Sequence, residues 1–387
     1  MKSALDQRRL PAILFLFVRV SILLALPFDG LRGYGDHLHF FNLAALPGLP
    51  YLHFWVEFPP LFPFLLKAVY ALSGGVEHAF TYLLVFLLTA ADLGSVILFT
   101  RLAARLDDSP AVWRGVLLAG LLAALPYTWW YFDSLVLFLV LLAFEWAFSR
   151  KPAALAGVAL GLGILTKLFP ALILPALWRW LPPRRAAALS AAALLLTVAV
   201  YGGLWAASPQ FTRASLQSQS AKGSWETVWA LVDGNLHTGN FGPEIERLDP
   251  AAASRPVGNP PRVSPWISLA VFSLLGAWLF WRFHPTSLVQ VLSFAGLTWV
   301  IFLLWSPGWS PQWVLYLFAL ILLTLPERLA LLLSGLLVLV NLLEWPLLLS
   351  RGLFYSLPAT VLLRTLLLLL LAWIWWQGSR TASPSAA

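Results

Sequence analysis

The chain has 387 residues, of which 60% are hydrophobic and 11% are charged, and its mean hydropathy is +0.80. Soluble domains carry roughly 25% charged residues, so the composition predicts an all-α polytopic membrane protein with one integral membrane domain over 1–387. The net charge of +8 does not indicate a nucleic-acid partner, because the sequence has no basic stripe on a polar surface. The absence of cysteine excludes disulfides, thiolate metal sites and a cysteine nucleophile.

Apolar runs predict about twelve membrane-crossing helices, since one crossing needs about 20 apolar residues. The first run follows basic residues and contains Arg19, and we interpret it as a retained helix rather than a cleaved signal. Segment 60–73 is apolar but short and contains Lys67, so we expect it to dip into the membrane without crossing. The predicted crossings are 11–28, 79–100, 115–131, 134–149, 153–167, 169–181, 186–206, 266–283, 286–305, 312–325, 329–349 and 357–376.

Basic residues in the turns between these segments predict the orientation, because such turns face the cytoplasm. The expected cytoplasmic groups are Lys2, Arg8 and Arg9; Arg101, Arg105 and Arg114; Arg150 and Lys151; Arg179, Arg184 and Arg185; Arg282; and Arg328. Loops 29–59 and 207–265 and the turn at Asp133 then lie outside, in a bacterial cell membrane with an outward-facing site. If 153–181 is one broken helix, the later turns invert.

Loop 207–265 is the only extended polar region of the sequence, and it is too long for a plain connector. It contains His237. Stretches 224–232 and 37–46 carry apolar residues at helical spacing, so both are expected to form helices at the membrane surface. The end of the loop, 249–265, is rich in proline, glycine and asparagine and is expected to be irregular coil.

Loop 29–59 groups polar side chains that a membrane helix bundle does not need for packing. Asp36 lies beside His37 and His39 just after the first predicted helix. A carboxylate in this position suits a general base that deprotonates a sugar hydroxyl, and Glu57 is expected to face the same pocket. The alternatives are structural: Asp36 caps a helix that starts at His37, and Glu57 caps the segment that follows it.

Further candidates lie at predicted outer helix ends. Lys167 is costly to bury in an apolar segment, which indicates a phosphate-binding role, although snorkelling to outer headgroups is an alternative. Asp133 follows an aromatic cluster and is either a site residue or a helix cap beside an interfacial belt. Trp309 and Gln312 belong to a Pro/Gly turn; its aromatic walls suit a sugar or isoprenoid chain, or it is an ordinary outer turn.

Two other observations concern metals and stability. Loop 29–59 has no Asp-x-Asp pair, and residues two apart on a helix, such as His37 and His39, face different directions. We therefore expect no zinc site, and the sequence identifies no certain cofactor. Binding of a divalent cation is left as an alternative. Arg19 and Asp92 each lie about eight residues, or about 12 Å, from the cytoplasmic end of a predicted helix. This equal depth predicts a buried structural ion pair.

In order and spacing, these motifs make the chain resemble the GT-C superfamily of integral membrane glycosyltransferases. The nearest likeness is the alpha-mannosyltransferase branch, which includes the mycobacterial phosphatidylinositol-mannoside mannosyltransferases and the catalytic subunit of GPI mannosyltransferase I. The likeness runs from residue 11 to residue 325. It rests on Asp36, Glu57-Phe-Pro-Pro-Leu61, Asp133 with Lys167-Leu-Phe-Pro170, and Ser310-Pro-Gln312.

The resemblance implies a GT-C-type helical bundle that transfers a hexose, mannose in this branch, from a polyprenyl-phosphate donor. The acceptor would be a lipid or glycan of the cell envelope, with membrane lipids as surroundings, and the first-loop acid Asp36 would be the catalytic base. Glu57, expected to face the same pocket, is the second catalytic candidate. The candidate donor-binding residues are Lys167, Asp133, Gln312, His37, His39, His237 and Trp309. A lipid or sugar transporter or flippase, or a scaffold without chemistry, remains an alternative; the grouping of polar residues on one face and the lack of an internal repeat favour the transferase.

Overall fold

A computed structural model describes residues 7–34, 36–107, 109–237 and 240–380, without the side chains of residues 379 and 380. Lys2, a member of the first basic group, lies outside these ranges. Within them every regular element is helical, so the prediction of an all-helical fold is confirmed for this part of the chain. The chain forms two compact units. Unit 1 comprises Met1–Ala171, Ala187–Ala221 and Gly242–Arg255, and unit 2 comprises Leu172–Ala186, Lys222–Phe241 and Pro256–Ala387.

The helices alternate with short connections along most of the described residues. The described α-helices, in chain order, are α1 (Leu10–Ala25), α2 (Phe28–Arg32), α3 (Asp36–Ala45), α4 (Leu61–Leu72), α5 (Glu77–Leu106), α6 (Ala111–Ala124), α7 (Tyr127–Trp130), α8 (Asp133–Ala147), α9 (Ala153–Thr166), α10 (Leu174–Trp180), α11 (Pro183–Ala207), α12 (Pro209–Ala221), α13 (Val228–Asp233), α14 (Pro265–Arg282), α15 (Leu288–Trp305), α16 (Val314–Thr324), α17 (Glu327–Leu342) and α18 (Leu357–Arg380). Short 3-10 helices occupy Phe169–Ile173, Glu244–Leu248, Pro250–Ser254, Pro311–Trp313, Leu349–Arg351 and Phe354–Ser356, and a π-helix occupies Leu343–Leu348.

Unit 1 is organised around the long helix α5, which packs against α1, α6 and α8. Helix α8 in turn packs along α9, and the connection between them is short and contains Arg150 and Lys151. Two helices joined by so short a turn pack as an antiparallel hairpin. The first residue of α8 and the last residue of α9 therefore lie at the same end of this hairpin.

Small residues allow α9 to approach α11 within unit 1. A Cβ atom added at Gly157 would lie 2.2 Å from the carbonyl oxygen of Leu189, and one at Gly161 would lie 3.2 Å from the Cα of Ala193. Close backbone approach through glycine and alanine is a common way of packing helices in membranes. A larger side chain at Gly157 would push the two helices apart.

Helix α4 corresponds to the segment expected to dip into the membrane. Its 12 residues extend about 18 Å at 1.5 Å per residue, well short of a hydrocarbon core about 30 Å thick. The ammonium of Lys67 donates to the carbonyl of Leu46 and lies 5.5 Å from the ring of Phe54. The length of α4 fits a short dipping segment.

In unit 2 the central helix is α15, which packs against α10, α14, α16 and α18. Ser287 caps α15 by accepting a hydrogen bond from the amide of Gln290 at 3.3 Å. Helix α18 approaches at Gly296, where an added Cβ would lie 2.8 Å from the ring of Trp375. By contrast, only 6% of the apolar window of α14 is buried, as expected for a helix that faces lipid.

Six stretches among the described residues are long and apolar enough to cross a membrane: Glu77–Leu106, Pro183–Ala207, Pro265–Arg282, Leu288–Trp305, Glu327–Arg351 and Phe354–Gly378. The protein is thus a helical membrane protein. Other predicted crossings correspond to shorter helices such as α1, α6 and α9, and segment 169–181 forms a 3-10 turn followed by the seven-residue α10. The count of twelve crossings stays a prediction.

Loop 207–265 is more ordered than its sequence predicts. Its first part forms α12, which no sequence pattern indicates. Stretch 249–265 is predicted as irregular coil, but Pro250–Ser254 is a 3-10 helix that starts where Asp249 accepts a hydrogen bond from the amide of Ala251. Stretch 224–232 is helical only from Val228, after the cap at Thr227. The predicted surface helix 37–46 is α3, which starts one residue earlier.

Candidate functional site

Two of the predicted site residues meet at the end of the α8–α9 hairpin that lies opposite its connecting turn. Asp133 is the first residue of α8, and Lys167 follows α9 in an extended conformation. The Lys167 Nζ lies 2.7 Å from Asp133 Oδ1, with the aspartate side chain fully buried and the lysine side chain 15% exposed. The two helix ends thus place a lysine with a partly exposed side chain against a buried carboxylate.

Aromatic rings flank this ammonium group. The Nζ of Lys167 lies 5.2 Å from the centroid of the Phe132 ring and 5.3 Å from that of Phe169. Ring faces attract a cation without removing all of its capacity to donate hydrogen bonds. Lys167 is therefore held in place between a carboxylate and two rings, and its side chain is 15% exposed.

Phe132 also belongs to an aromatic cluster that leads to a second group of charges. Its ring stacks on Phe62 at 3.9 Å, and Phe62 contacts Phe40 of α3 at 5.1 Å. Phe58, the residue after Glu57, lies 5.4 Å from Phe132. These packed rings fix the position of Glu57 relative to Lys167 within unit 1.

The second group contains Glu57 and His39 together with two residues that the sequence motifs do not include. Arg247 binds Glu57 through both of its terminal nitrogens, at 2.5 Å and 3.0 Å. His39 contacts Glu244 at 2.8 Å and Glu57 at 3.7 Å. Trp55 stacks under the Arg247 guanidinium at 4.3 Å. Glu57 is therefore part of a bridged network and not simply the cap of α4.

This network shifts the pKa values of its members. Burial alone would raise the pKa of Glu57, but the charge of Arg247 and the hydrogen bond from His39 lower it from 4.5 to about 2. Burial disfavours the His39 imidazolium, yet the contacts with Glu57 and Glu244 raise its pKa above 6.5. Glu57 is consequently ionised across the physiological range.

His37 and Asp36 lie at the start of α3. His37 is fully buried, and its Nε2 donates to the carbonyl of Trp129 at 2.8 Å. Burial lowers the pKa of His37 to about 4 although this hydrogen bond acts against the shift, so the ring is neutral and its Nδ1 is an acceptor. That nitrogen has no hydrogen-bond partner among the described residues. The anchored histidine fixes the helix start, where Asp36 is half-buried.

Unit 1 also contains an apolar crevice of about 200 Å³. Pro59 and Leu168, which follow Glu57 and Lys167 closely in the chain, line one part of it, and Tyr201, Trp205 and Leu216 line another. A crevice of this composition accommodates hydrocarbon rather than a polar group. The partly exposed lysine is thus next in sequence to a wall of an apolar cavity.

Three predicted site residues belong to unit 2. Trp309 is buried, and its indole nitrogen donates to Asn341 Oδ1 at 3.1 Å. The side-chain oxygen of Gln312 is buried and has no hydrogen-bond partner in the described ranges. His237 is exposed, with its ring 4.0 Å from that of Phe354. Their contact with a donor stays a prediction.

Arg19 and Asp92 approach each other to 3.5 Å, with side chains that are 1% and 0% exposed. Arg19 also donates to the hydroxyl of Thr128 at 2.7 Å and lies 3.5 Å from the ring of Trp129. It therefore connects α1 and α5 to the break between α6 and α8. The arrangement is that of a structural element and has no group facing solvent.

Among the residues that the structure describes, no group of three or more histidine, aspartate or glutamate side chains is arranged to hold a metal ion. Comparison of the chain with protein-family models, with curated proteins and with solved structures finds no match. The function is therefore inferred from the geometry of this chain.

Several charged residues of the candidate site lie outside every sequence motif. Arg247 and Glu244 lie in the charged stretch 243–250 of the long loop, and this charge density is the available signal. Two charges within apolar segments are also paired: Glu145 with Arg105 at 2.6 Å, and Glu344 with Arg364. What unit 1 offers chemically is a fixed cation, an apolar crevice and carboxylates of different surroundings.

Proposed function

We propose that the protein is an integral membrane glycosyltransferase that moves a hexose, with mannose as the expected sugar, from a polyprenyl phosphate to a lipid or glycan acceptor outside the membrane. The observation that carries this proposal is Lys167. Its side chain is 15% exposed, and the next residue, Leu168, lines an apolar crevice. A lipid phosphate requires both a cation for its charge and an apolar surface for its chain.

In the proposed reaction Asp36 is the general base. Its carboxylate accepts the proton of an acceptor hydroxyl while the hydroxyl oxygen forms a bond to the anomeric carbon. The bond between that carbon and the phosphate oxygen breaks, and the lipid phosphate leaves with the electron pair. Lys167 balances the negative charge on the departing phosphate, because a charge-assisted hydrogen bond strengthens as charge develops.

Glu57 is the second candidate for the base, but its environment favours a positioning role. A general base works best when its pKa lies near the operating pH, whereas Arg247 lowers the pKa of Glu57 to about 2. Its bidentate contact with Arg247 occupies both carboxylate oxygens. Glu57 and His39 are instead suited to hold loops 46–59 and 242–255 together around the crevice.

The proposal is tested by incubating the purified protein in lipid vesicles with radiolabelled polyprenyl-phosphate sugars and a lipid extract as acceptor. With at least one of the donor sugars, we expect label to appear in a new lipid or glycan product. The Lys167→Met variant should lose most of this activity. Label that crosses the bilayer while still bound to its polyprenyl carrier would support the flippase alternative. If no sugar of the panel is either transferred or moved across the bilayer, the proposal is contradicted.

A further inference from the structure

Unit 2 contains a buried charged group that is separate from the site described above. Glu226 precedes α13, Glu344 belongs to the π-helix Leu343–Leu348, and Arg364 belongs to α18. Their exposed fractions are 3%, 0% and 2%. Three charges so far from solvent require internal compensation, because desolvation of an ion is costly.

Arg364 compensates only one of the two carboxyl groups. One terminal nitrogen of its guanidinium donates to the carboxylate of Glu344, and the other donates to the main-chain carbonyl of Glu226 rather than to its side chain. The guanidinium also lies 4.5 Å from the ring of Trp309. Glu344 and Arg364 thus form an ion pair, and the carboxyl group of Glu226 stands outside it.

The segment that carries Glu226 is fixed by main-chain hydrogen bonds. The Glu226 side chain therefore cannot turn toward solvent unless these contacts break. The amide of Trp225 donates to the carbonyl of Pro307 at 3.0 Å, and the amide of Trp309 donates to that of Trp225 at the same distance. Glu226 itself has a φ of +53°, a conformation that side-chain-bearing residues rarely adopt and that the surrounding structure must hold in place.

The carboxyl groups of Glu226 and Glu344 lie within hydrogen-bonding reach of each other. Each has an Oε2 atom that is buried and has no hydrogen-bond donor among the described residues. Lys222 also acts on Glu226, but its ammonium group lies over the ring of Trp225 at 4.3 Å. If both carboxyl groups were ionised within hydrogen-bonding reach of each other, they would repel each other strongly.

We propose that Glu226 and Glu344 share one buried proton and that unit 2 therefore contains a proton-binding site. Glu226 is the carboxylic acid, and its hydroxyl donates to the carboxylate of Glu344, which also accepts from Arg364. The proton supplies the donor that the two oxygens otherwise lack. With this proton bound, the three side chains have no net charge. One chain of hydrogen bonds then connects the segment that carries Glu226, the π-helix and α18.

The electrostatic surroundings agree with this assignment. Burial and then the negative charge of Glu344 raise the pKa of Glu226 well above 4.5, and the charges of Arg364 and Lys222 only partly oppose the shift. A group whose pKa is higher in the folded than in the unfolded state stabilises the fold fully at a pH below its unfolded-state pKa. This contribution is lost as the pH rises through the folded-state pKa. The folded state of unit 2 should therefore become less stable at alkaline pH.

Infrared difference spectroscopy of the protein in detergent tests the proposal, because a protonated carboxyl group has a carbonyl band distinct from that of a carboxylate. The variants are Glu226→Gln and Glu344→Gln, with Glu246→Gln as control, since Glu246 is 41% exposed and pairs with Arg255 outside this group. We expect the wild-type spectrum to contain one band that is missing from Glu226→Gln. It should also be missing from Glu344→Gln, where Glu226 becomes the ionised partner of Arg364, and it should persist in Glu246→Gln.

Thermal unfolding as a function of pH gives a second readout. Glu226→Gln keeps the size and the hydrogen-bond donor of the protonated acid, so it should fold and should lose less stability than the wild type as the pH rises from mildly acidic to alkaline. A carbonyl band unchanged in Glu226→Gln, or identical alkaline slopes for Glu226→Gln and the wild type, would overturn the proposal. Neither measurement depends on glycosyl transfer.

Discussion

At the scale of single residues, the same side-chain type has different roles because its neighbours differ. Lys67, in the short helix α4, donates to the main-chain carbonyl of Leu46, whereas Lys167 contacts a buried aspartate and lies between two rings. Asp92 faces an arginine in the interior, and Asp36 lies half-buried at a helix start. Local surroundings, rather than residue identity, assign the proposed chemistry.

Removal of the Lys167 charge should weaken donor binding first. Lys167→Met keeps a long apolar stem between Phe132 and Phe169 but cannot bind a phosphate. A hydrogen bond to a charged group contributes about 1.5–3 kcal/mol, so KM for the lipid donor should rise about 10- to 100-fold while kcat falls less. Steady-state kinetics would check this, with Lys151→Met at the opposite end of the same hairpin as control; equal KM values for both variants would exclude the phosphate role.

Loss of the proposed base should act on turnover. Asp36→Asn retains size and hydrogen bonding but accepts no proton at neutral pH, and general bases contribute about 10²–10⁴-fold in rate. We expect kcat to fall at least about 100-fold with donor affinity unchanged. Turnover of Asp29→Asn, at an exposed position of loop 29–59, should be near normal. Near-normal turnover in Asp36→Asn would move the base to Glu57.

The Glu57–Arg247 contact should be visible as a pH-dependent stability. The folded-state pKa of Glu57 is about 2 against an ordinary 4.5, so its contribution, roughly 3 kcal/mol at most, is present above pH 4.5 and is lost as the pH falls. Glu57→Gln should therefore lower the Tm at neutral pH, and its difference from wild type should shrink below pH 4.5. Glu77→Gln removes the half-exposed pair with Arg32 and should have little effect.

At the scale of helices and loops, the sequence predicts which helix ends lie together in one hairpin better than it predicts contacts that involve long loops. Asp133 and Lys167 are expected at outer helix ends, and the basic turn between α8 and α9 brings those ends together. The pairing of Glu57 with Arg247 spans 190 positions, and no periodicity indicates it. Such pairs depend on how the chain folds back, which single-segment patterns do not contain.

The ion pair between α1 and α5 is a prediction of the sequence that the structure places in contact. Removal of one partner leaves an uncompensated charge and costs about 3–5 kcal/mol in buried pairs. Asp92→Leu should therefore reduce the yield and the Tm of the detergent-solubilised protein, and Arg19→Leu combined with Asp92→Leu should recover part of the loss. Additive damage in the double variant would show that the two residues act independently.

At the scale of the whole molecule, composition and basic turns predict a membrane protein and its orientation. Six long apolar helices support the first. The number of crossings is harder to predict because several helices, such as α9 with 14 residues, are shorter than the about 20 residues of a full crossing. Loop order is also underestimated from sequence, since α12 and the 3-10 helices are stabilised by tertiary contacts.

The orientation is open to a direct measurement, since the chain contains no cysteine. Ser254 in loop 207–265 and Ser109 in a basic turn are both exposed. We expect Ser254→Cys to react with an impermeant thiol reagent in intact cells, and Ser109→Cys to react only after lysis. The reverse pattern would invert the predicted topology.

The bridge between Glu57 and Arg247 also has a consequence for biosynthesis. A ribosome that adds about 5–20 residues per second needs about 10–40 s to reach the partner of a side chain 190 positions earlier. Throughout that interval the nascent chain contains the ionisable Glu57 without its arginine partner. The candidate site of unit 1 is therefore completed late, after α11 and α12 have been synthesised, and the newly inserted first half of the chain has no finished pocket to offer a substrate.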